Sequence, residues 1–437
     1  MSDVMNYKCP NCGAPLVYKG DKQKMVCESC DGEFTMEEVK AAAEKDQQQN
    51  KSSDMTWSSQ APAEIRDEEG KLKGYTCPSC GAEIVADENT AATECPYCGN
   101  KAIMPKAFDG MYKPDCMIPF KVDKSAAQSA LLNFYKGKRL LPDTFVDGNR
   151  IKNINGVYVP FWLFDCTAKG YATYTAEKKE RWEDADARYV KTDTYNVTRR
   201  GTMDFEKIPA DASKQMDDAY MDAIEPFDYS QLQDYDAAYF SGYVADKYDV
   251  TAEESTPRVN ERVTNSMKAK LRETVNGYEN VSEDRAEIGI EDGTVTYAMM
   301  PVWMLSTKYN DKLYTFAMNG QTGKVVGSLP VDMGKFYKYL GGISVIMMVI
   351  AQLVLYFATE TQFTGQNEGI ALLVSLIIGG VSVMAMKSGM NTAVVETQAS
   401  RYEQDESFDL TTQNDVFVST RTDRIEKEKP KPDDKKG

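Results

Sequence analysis

Four Cys-x-x-Cys pairs occur within the first hundred residues of a chain that contains no histidine. Two cysteines three positions apart on a tight turn direct both sulfurs towards one ion, and a following glycine permits the turn. Fourteen residues separate the pairs within each set, a spacing typical of zinc ribbons. The predicted ligands are Cys9, Cys12, Cys27 and Cys30 in the first ribbon and Cys77, Cys80, Cys95 and Cys98 in the second.

This pattern predicts two structural Zn²⁺ sites, because a tetrahedral ion with four thiolates has no position left for substrate. A segment of about thirty residues cannot build a core alone, and zinc contributes roughly 10 to 16 kcal/mol to folding in such modules. Iron is an alternative metal for four thiolates. Disulfides are not expected, because the polar residues 1–8 lack the apolar run of a secretory signal. A thioredoxin-like redox site would need one pair at a helix start.

Residues 339–358 contain no charged residue, and residues 369–386 contain none before Lys387. Stretches of this length and apolar character predict two transmembrane helices. The second is close to the minimum length, and a buried core helix is its alternative. Ser375, Gly379 and Gly380 offer a face of small residues for close contact with the first helix.

Flanking charges predict the orientation of this hairpin. Lys335 and Lys338 precede the first span and Lys387 follows the second, whereas residues 359–368 contain no Lys or Arg. Positively charged flanks remain in the cytoplasm. We therefore expect a multi-pass protein of the cytoplasmic membrane with both termini in the cytoplasm, where thiolate ligands stay reduced.

The expected fold is multidomain, with two small zinc ribbons, a duplicated antiparallel α+β domain and a C-terminal two-helix transmembrane hairpin. The predicted boundaries are residues 1–35 (ribbon), 36–73 (short helix and flexible linker), 74–104 (second ribbon), 105–333 (duplicated domain), 334–388 (hairpin) and 389–437 (polar cytoplasmic tail).

Two similar passages suggest the duplication. A Pro-Phe pair at residues 119–120 precedes a helical pattern over 123–135 and the strand 157–164. A second Pro-Phe pair at 226–227 precedes a longer helix and the strand 298–305. The longer helix follows the capping box Thr251 to Glu254, and its apolar residues recur every fourth position. They are Val259, Val263, Met267, Leu271 and Val275.

Three features of this domain have ordinary structural readings. Trp162 and Trp303 follow prolines in apolar strands, and we expect core packing rather than a ligand-binding box. Cys116 and Cys166 lack paired neighbours and are predicted to be buried without a catalytic role. Residues 217–249 interleave Asp with Tyr and Phe. They predict helices with inward tyrosines and solvated aspartates, or alternatively a partner-binding surface.

The chain resembles bacterial membrane proteins with TFIIB-type zinc ribbons, the YdjG-like group. The resemblance rests on Cys-Pro-x-Cys-Gly knuckles at Cys9, Cys77 and Cys95, the Pro-Trp strands, residues 239–248, the hydrophobic hairpin and residues 415–424. The knuckle at Cys27 lacks the proline but keeps both ligands. The resemblance implies work with SPFH-domain and TPM-domain companions at the membrane, in assemblies linked to envelope stress and PspA-like proteins.

Enzyme functions are not expected. Histidine, the commonest general base, is absent, and no Ser or Cys lies in a recognisable nucleophile motif. A helicase is not expected, because no phosphate-binding Gly-x-x-x-x-Gly-Lys-Ser/Thr loop occurs. Nucleic-acid binding conflicts with charge, since residues 1–104 contain 11 Lys and Arg against 18 Asp and Glu.

The predicted function is a membrane-anchored scaffold or adaptor whose ribbons and duplicated domain form a cytoplasmic platform for membrane-associated protein partners. A membrane-tethered nucleic-acid-binding or transcription-related protein is the alternative. A hydrolase that uses carboxylates of the central domain is a third possibility.

Overall fold

The computed structural model describes residues 9, 16–20, 22–27, 32–40, 55–59, 64–65, 72–87, 94–101, 103–106, 111–148, 151–358 and 365–427. The strands are β1 Leu16–Lys19, β2 Lys24–Cys27, β3 Glu33–Phe34, β4 Ser58–Ser59, β5 Glu64–Ile65, β6 Leu72–Thr76, β7 Glu83–Asp87, β8 Met104–Lys106, β9 Met111–Tyr112, β10 Cys116–Met117, β11 Asn155–Glu183, β12 Ala187–Asp211, β13 Gln233–Asp234, β14 Val244–Asp246, β15 Asn280–Tyr309, β16 Lys312–Asn319, β17 Val325–Gly327 and β18 Asp409–Glu426.

The helices are α1 Lys124–Tyr135, α2 Asp143–Gly148, α3 Asp218–Ile224, α4 Ala252–Glu273, α5 Met333–Ala358 and α6 Gly365–Ser388. Two of them begin at capping residues, and the cap of α4 is the one that the sequence predicts. Asp123 accepts a 2.8 Å hydrogen bond from the Ala126 amide at the start of α1. At the start of α4, Thr251 and Glu254 exchange the two hydrogen bonds of a capping box.

Four long antiparallel strands form the centre of the protein, in the order β15-β11-β12-β18. The 29 residues of β11 span about 95 Å. Alternate residues of β11 are buried from Cys166 to Ala176, and all of them except Tyr174 are small. The apolar side of α4 covers this face, and a Cβ at Gly170 would lie only 2.8 Å from Met267 and Leu271. The predicted apolar positions of α4 are therefore core residues, as the period of four indicated.

The body is a mixed sheet, which corrects the expected antiparallel domain. The short strand β10 pairs in parallel with β15 at Cys116↔Ala298, and β14 pairs in parallel with β11 at Val157↔Val244. Each of these short strands thus lies beside a long strand from a distant part of the chain. Sequence periodicity cannot reveal such pairings, because they join segments more than 80 residues apart.

The two Pro-Trp strands are neighbours in this sheet, with Val159 opposite Met300. The indole of Trp162 donates a 2.9 Å hydrogen bond to the Val250 carbonyl, and that of Trp303 donates one of 2.9 Å to the Val122 carbonyl. Each acceptor lies directly before the N-cap of α4 or α1. Both tryptophans are buried, so they pack in the core as predicted.

The helices α5 and α6 pack against each other. Met333–Val354 and Gly369–Ser388 within them are long and apolar enough to cross a membrane. A Cβ at Gly379 would overlap the Ser344 hydroxyl, whereas the space around Gly380 is open. Ser375 is buried and donates a 2.7 Å hydrogen bond to the Ala371 carbonyl. The contact face therefore includes Ser375 and Gly379 but not Gly380.

Residues 389–427 are part of the body, although their sequence predicts a polar tail. β18 pairs with β12 from Ala187↔Glu426 to Thr202↔Asp409. Met390, Ala399 and Tyr402 are buried. The β-branched and aromatic residues of β18 favour a strand, and the free edge of β12 supplies its partner. The many charged residues of β18 make its preference for a strand difficult to recognise from the sequence.

The expected linker over residues 36–73 also has ordered contacts. Trp57 donates a 2.8 Å hydrogen bond to Asn260 and packs edge-on against Phe164, with ring centroids 4.9 Å apart. β4 pairs in parallel with β15 beside it. The short helix begins as predicted, since the Glu38 amide donates to the Thr35 hydroxyl at 3.2 Å. Its expected continuation over residues 41–48 lies outside the described residues.

Candidate metal centre and the contacts around it

Four predicted ligands of the second ribbon lie together. The sulfurs of Cys77, Cys80, Cys95 and Cys98 are all within 4.8 Å of one another. Cys77 Sγ lies 3.6 Å from Cys98 Sγ, and Cys80 Sγ lies 3.6 Å from Cys95 Sγ. This group could bind a metal ion such as zinc.

Two matching turns position these sulfurs. The amide of Gly81 donates to the Cys77 carbonyl at 2.9 Å, and that of Gly99 donates to the Cys95 carbonyl at 2.9 Å. Both glycines have positive φ, 78° and 69°, a conformation that side chains disfavour. Each turn therefore needs its glycine, as the Cys-Pro-x-Cys-Gly pattern predicts.

The environment of the thiols differs within the cluster. Burial raises the pKa of Cys77, but the backbone N–H groups of Cys80 and Ser79 outweigh burial and lower that pKa to about 7. Burial raises the pKa of Cys80 to about 11. Cys95 is buried more deeply, and its thiol pKa is raised further. Ionisation of the whole set thus requires a positive charge among the sulfurs, which a bound cation supplies.

The cluster has suitable dimensions for zinc. A tetrahedral ion with Zn–S bonds of about 2.3 Å separates its sulfurs by about 3.8 Å, close to the two distances above. The donor set is soft and entirely sulfur, which suits Zn²⁺ or iron and disfavours Mg²⁺ or Ca²⁺. With four protein ligands, a bound ion would have no open position for a water molecule.

The first ribbon is described in part. Cys9 and Cys27 are buried, while Cys12 and Cys30 lie outside the described residues. β1 and β2 form the expected hairpin before Cys27. The Cys27 amide donates to the Gly32 carbonyl at 2.9 Å, and the Cys77 amide donates to the Ala82 carbonyl at the same distance. An equivalent backbone hydrogen bond therefore occurs at Cys27, in the predicted first ribbon, and at Cys77, in the predicted second ribbon.

The second ribbon is continuous with the body. Its strand β7 pairs with β14, from Val244↔Ala86 to Asp246↔Ile84. The Ser306 hydroxyl on β15 donates a 2.6 Å hydrogen bond to the carbonyl of Tyr97, which lies between two ligands. Cys77 and Cys95 belong to the same apolar cluster as Val157 and Phe161. The predicted boundary at residue 104 therefore does not separate an independent module.

A buried ionic network lies around α4, and the sequence did not predict it. Arg262 on α4 pairs with Glu225 at 2.9 Å, and the Tyr402 hydroxyl donates to the same carboxylate at 2.5 Å. All three side chains are buried. Burial raises the pKa of Glu225 to about 7, although Arg262 opposes this shift. The position of Arg262 within the amphipathic pattern of α4 is the one sequence signal for such a network.

Arg258, one turn earlier on α4, extends the network. Its guanidinium lies 3.0 Å from Asp211 and also pairs with Asp222. Burial raises the pKa of Asp211 to about 7. Asp222 in turn accepts a 2.9 Å hydrogen bond from the Glu396 amide. The network therefore joins α3, α4, β12 and the segment that follows α6.

The acidic aromatic residues 217–249 differ from the expected helices with solvated aspartates. Apart from α3 they form short turns and the strands β13 and β14, and Asp222, Glu225 and Asp246 are buried. Tyr239 is exposed. Cys166 is buried and Cys116 is half-buried, and burial raises their thiol pKa values to about 12 and 11. Neither belongs to the group of thiols that could hold a metal.

Comparison with known proteins finds the uncharacterized protein YdjG of Bacillus subtilis (strain 168). It is 33% identical to this chain over 341 residues, which cover 78% of this chain and 94% of the Bacillus protein. No protein-family model matches the chain, and no solved structure matches it. The extent and level of this identity show that the chain belongs to the YdjG family.

Proposed function

We propose that this protein is a membrane-anchored scaffold that presents a metal-stabilised, protein-binding platform on the cytoplasmic side. The proposal rests on the contact between the two segments that flank the hairpin. Residues before α5 and residues after α6 share one sheet, through β12 and β18, and one buried network, through Glu225 and Tyr402. If α5 and α6 cross the bilayer, both flanks must lie on the same side.

The surfaces of α5 and α6 support insertion in a bilayer. Large apolar side chains are more than half exposed along both helices, for example Val345 (64%) on α5 and Val381 (66%) on α6. Exposed apolar area of this extent is unfavourable in water and favourable among lipid tails. The absence of Lys and Arg from residues 359–368, together with the lysines at the flanks, favours a cytoplasmic body and cytoplasmic termini.

We propose zinc ribbons of the TFIIB type with Zn²⁺ bound by Cys77, Cys80, Cys95 and Cys98. A second site of the same kind would comprise Cys9, Cys12, Cys27 and Cys30. The matched knuckle hydrogen bonds support the second site. Both metals would act in folding, since four thiolates close the coordination shell. Iron is the alternative, and metal analysis distinguishes the two.

We also propose that the body is an internal duplication. Two similarities support the duplication. Trp162 and Trp303 each donate a hydrogen bond to the residue before a helix cap, and β14 and β10 each pair in parallel with a long strand. On this proposal, the equivalent of the 116–117 strand would be 244–246, rather than a segment beside the Pro-Phe pair at 226–227. A duplicated body with exposed surface on both halves suits a platform for more than one partner.

The partners that we propose are membrane-associated proteins, with SPFH-domain, TPM-domain and PspA-like proteins the first to test. The family resemblance suggests them. A linked role in envelope stress is part of the same proposal. No catalytic role is proposed, because Asp211, Asp222 and Glu225 pair with arginines and Asp246 accepts a hydrogen bond from Ser213.

Affinity purification of the full-length chain in mild detergent, followed by quantitative mass spectrometry, tests the scaffold. We expect membrane-associated partners with the unmodified chain and with C166A, and their loss with C77S. The rival function is a membrane-tethered nucleic-acid-binding protein. Tight binding of DNA or RNA at low salt, in place of protein partners, would contradict the scaffold.

A further inference from the structure

The loop between α1 and α2 is attached to the ends of both membrane helices. The Asp332 amide, just before α5, donates a 2.8 Å hydrogen bond to the Leu140 carbonyl. Lys335 donates to the Leu141 carbonyl at 2.7 Å. Just after α6, the Gly389 carbonyl accepts a 2.5 Å hydrogen bond from Lys138. Residues 136–142 therefore lie where both helices leave the apolar region.

Cations are concentrated at this level, although the whole chain has a net charge of −16. We call them the basic collar. Its members are Lys136, Lys138 and Arg139 in the loop, Lys335 and Lys338 on α5, and Lys387 on α6. Asp143 and Asp332 are the acidic residues in the same segments, and Lys335 pairs with Asp143 at 2.7 Å.

Four cations of the collar are available to a partner. Lys136, Arg139, Lys338 and Lys387 are exposed, and none of them forms an ion pair with a described carboxylate. These four cations lie around the ends of the two apolar helices. Their side chains carry donors that suit phosphate oxygens.

Exposed apolar residues accompany these cations. Tyr337 is 63% exposed on the first turns of α5, and Met333 is 48% exposed. Leu132 is 47% exposed on α1, one turn before Lys136. A tyrosine and large apolar side chains beside lysines are typical of the depth at which a protein meets lipid headgroups.

We propose that the basic collar binds the headgroups of anionic phospholipids in the leaflet that faces the body. This inference rests on the proposed membrane anchorage. Headgroup phosphates of the same leaflet are the natural ligand, since the collar surrounds the two points at which the chain enters the bilayer. Binding there would hold the sheet at a defined distance from the membrane surface.

The test uses the full-length chain reconstituted in nanodiscs that contain equal parts of phosphatidylcholine and phosphatidylglycerol. After the lipid in excess is removed, mass spectrometry gives the ratio of the two lipids that remain with the protein. We expect severalfold enrichment of phosphatidylglycerol. K136Q/R139Q should bring this ratio close to that of the bulk lipid, because each cation near an anionic membrane surface contributes severalfold to binding.

The matched control is R421Q/R424Q, which removes two exposed cations from β18. That strand pairs with the far end of β12, away from the membrane helices. The R421Q/R424Q variant should enrich phosphatidylglycerol as much as the unmodified chain does. Excess inorganic phosphate should not change the enrichment by the unmodified chain. The proposal would be contradicted if K136Q/R139Q enriched phosphatidylglycerol as much as the unmodified chain, or if the unmodified chain showed no enrichment. Displacement of phosphatidylglycerol by inorganic phosphate would also contradict it.

Flotation with lipid vesicles separates this inference from the proposed function. A chain that floats without enriching phosphatidylglycerol contradicts the collar alone. A chain that does not float contradicts the membrane anchor, and the collar with it.

Discussion

The hydroxyl of Tyr402 donates a 2.5 Å hydrogen bond to Oε2 of Glu225, a residue 177 positions earlier in the chain. Both apolar helices, α5 and α6, lie between these two residues in sequence. The contact is buried and is reinforced by Arg262, which pairs with the same carboxylate. It joins the two segments that flank the hairpin, and it gives the clearest structural constraint on membrane topology.

Removal of this hydroxyl should weaken the body. We expect Y402F to lower the free energy of unfolding by about 2 kcal/mol, because a hydrogen bond to a buried charged group is lost. Denaturant unfolding of the full-length chain in detergent measures the change. Y239F is the matched control, since the Tyr239 hydroxyl bonds to Gln233 at the surface. Equal losses in the two variants would contradict the importance of the Glu225 contact.

Asp246 predicts a dependence of stability on pH. Burial raises the pKa of its carboxyl to about 7, and the Ser213 hydroxyl donates to it at 2.6 Å. The folded state therefore retains a proton that the unfolded state releases above about pH 4. The contribution of Asp246 to stability should fall as pH rises from about 4 to 7, by about 1.4 kcal/mol per pH unit, and then level off.

D246N removes this titration and leaves an acceptor for Ser213. We expect D246N to be more stable than the unmodified chain at pH 8 and similar to it at pH 4, as measured by denaturant unfolding across that range. D311N is the control, because Asp311 is exposed in the turn between β15 and β16. A constant difference between D246N and the unmodified chain at all pH values would refute a raised pKa.

The cysteine cluster predicts that the metal content of the chain will change when one of its cysteines is replaced. If both ribbons are occupied, elemental analysis should find about two zinc ions per chain. C77S should lose one ion and unfold the second ribbon, while membrane insertion persists. C166A, which removes a buried thiol outside the cluster, should keep both. Unchanged metal content in C77S would show that the metal lies elsewhere.

Packing of the hairpin depends on one glycine of an adjacent pair. Alanine at Gly379 would bring a methyl group against the Ser344 hydroxyl, whereas the space at Gly380 is open. We expect G379A to lower the thermal midpoint of the chain in detergent and G380A to preserve or raise it, since alanine favours helix by about 1 kcal/mol. Equal midpoints for the two variants would rule out this contact face.

The features that the sequence predicted are local or periodic. The four-residue period of α4, its capping box at Thr251 and the ligand spacing from Cys77 to Cys98 each depend on neighbours along the chain. Each corresponds to a described element. The apolar lengths of α5 and α6 likewise need no knowledge of distant residues.

The features that were missed depend on distant pairing. β18 is polar and charged, and its role becomes visible only beside the edge of β12, more than 200 residues earlier. Trp57 lies in a stretch rich in polar residues, and its partners Phe164 and Asn260 belong to the body. The carboxylates of Asp222 and Glu225 look solvated in sequence, because the arginines that permit their burial come from α4. Parallel pairing of β10 and β14 has no local signature.

The membrane-anchored account is tested most directly by labelling with a membrane-impermeant maleimide in intact cells. T364C places a thiol between the two helices, and Q413C places one on the exposed side of β18. We predict that T364C is labelled in intact cells and that Q413C is labelled only after the membrane is permeabilised. Equal labelling of both variants in intact cells would contradict a hairpin whose two flanks form one cytoplasmic body.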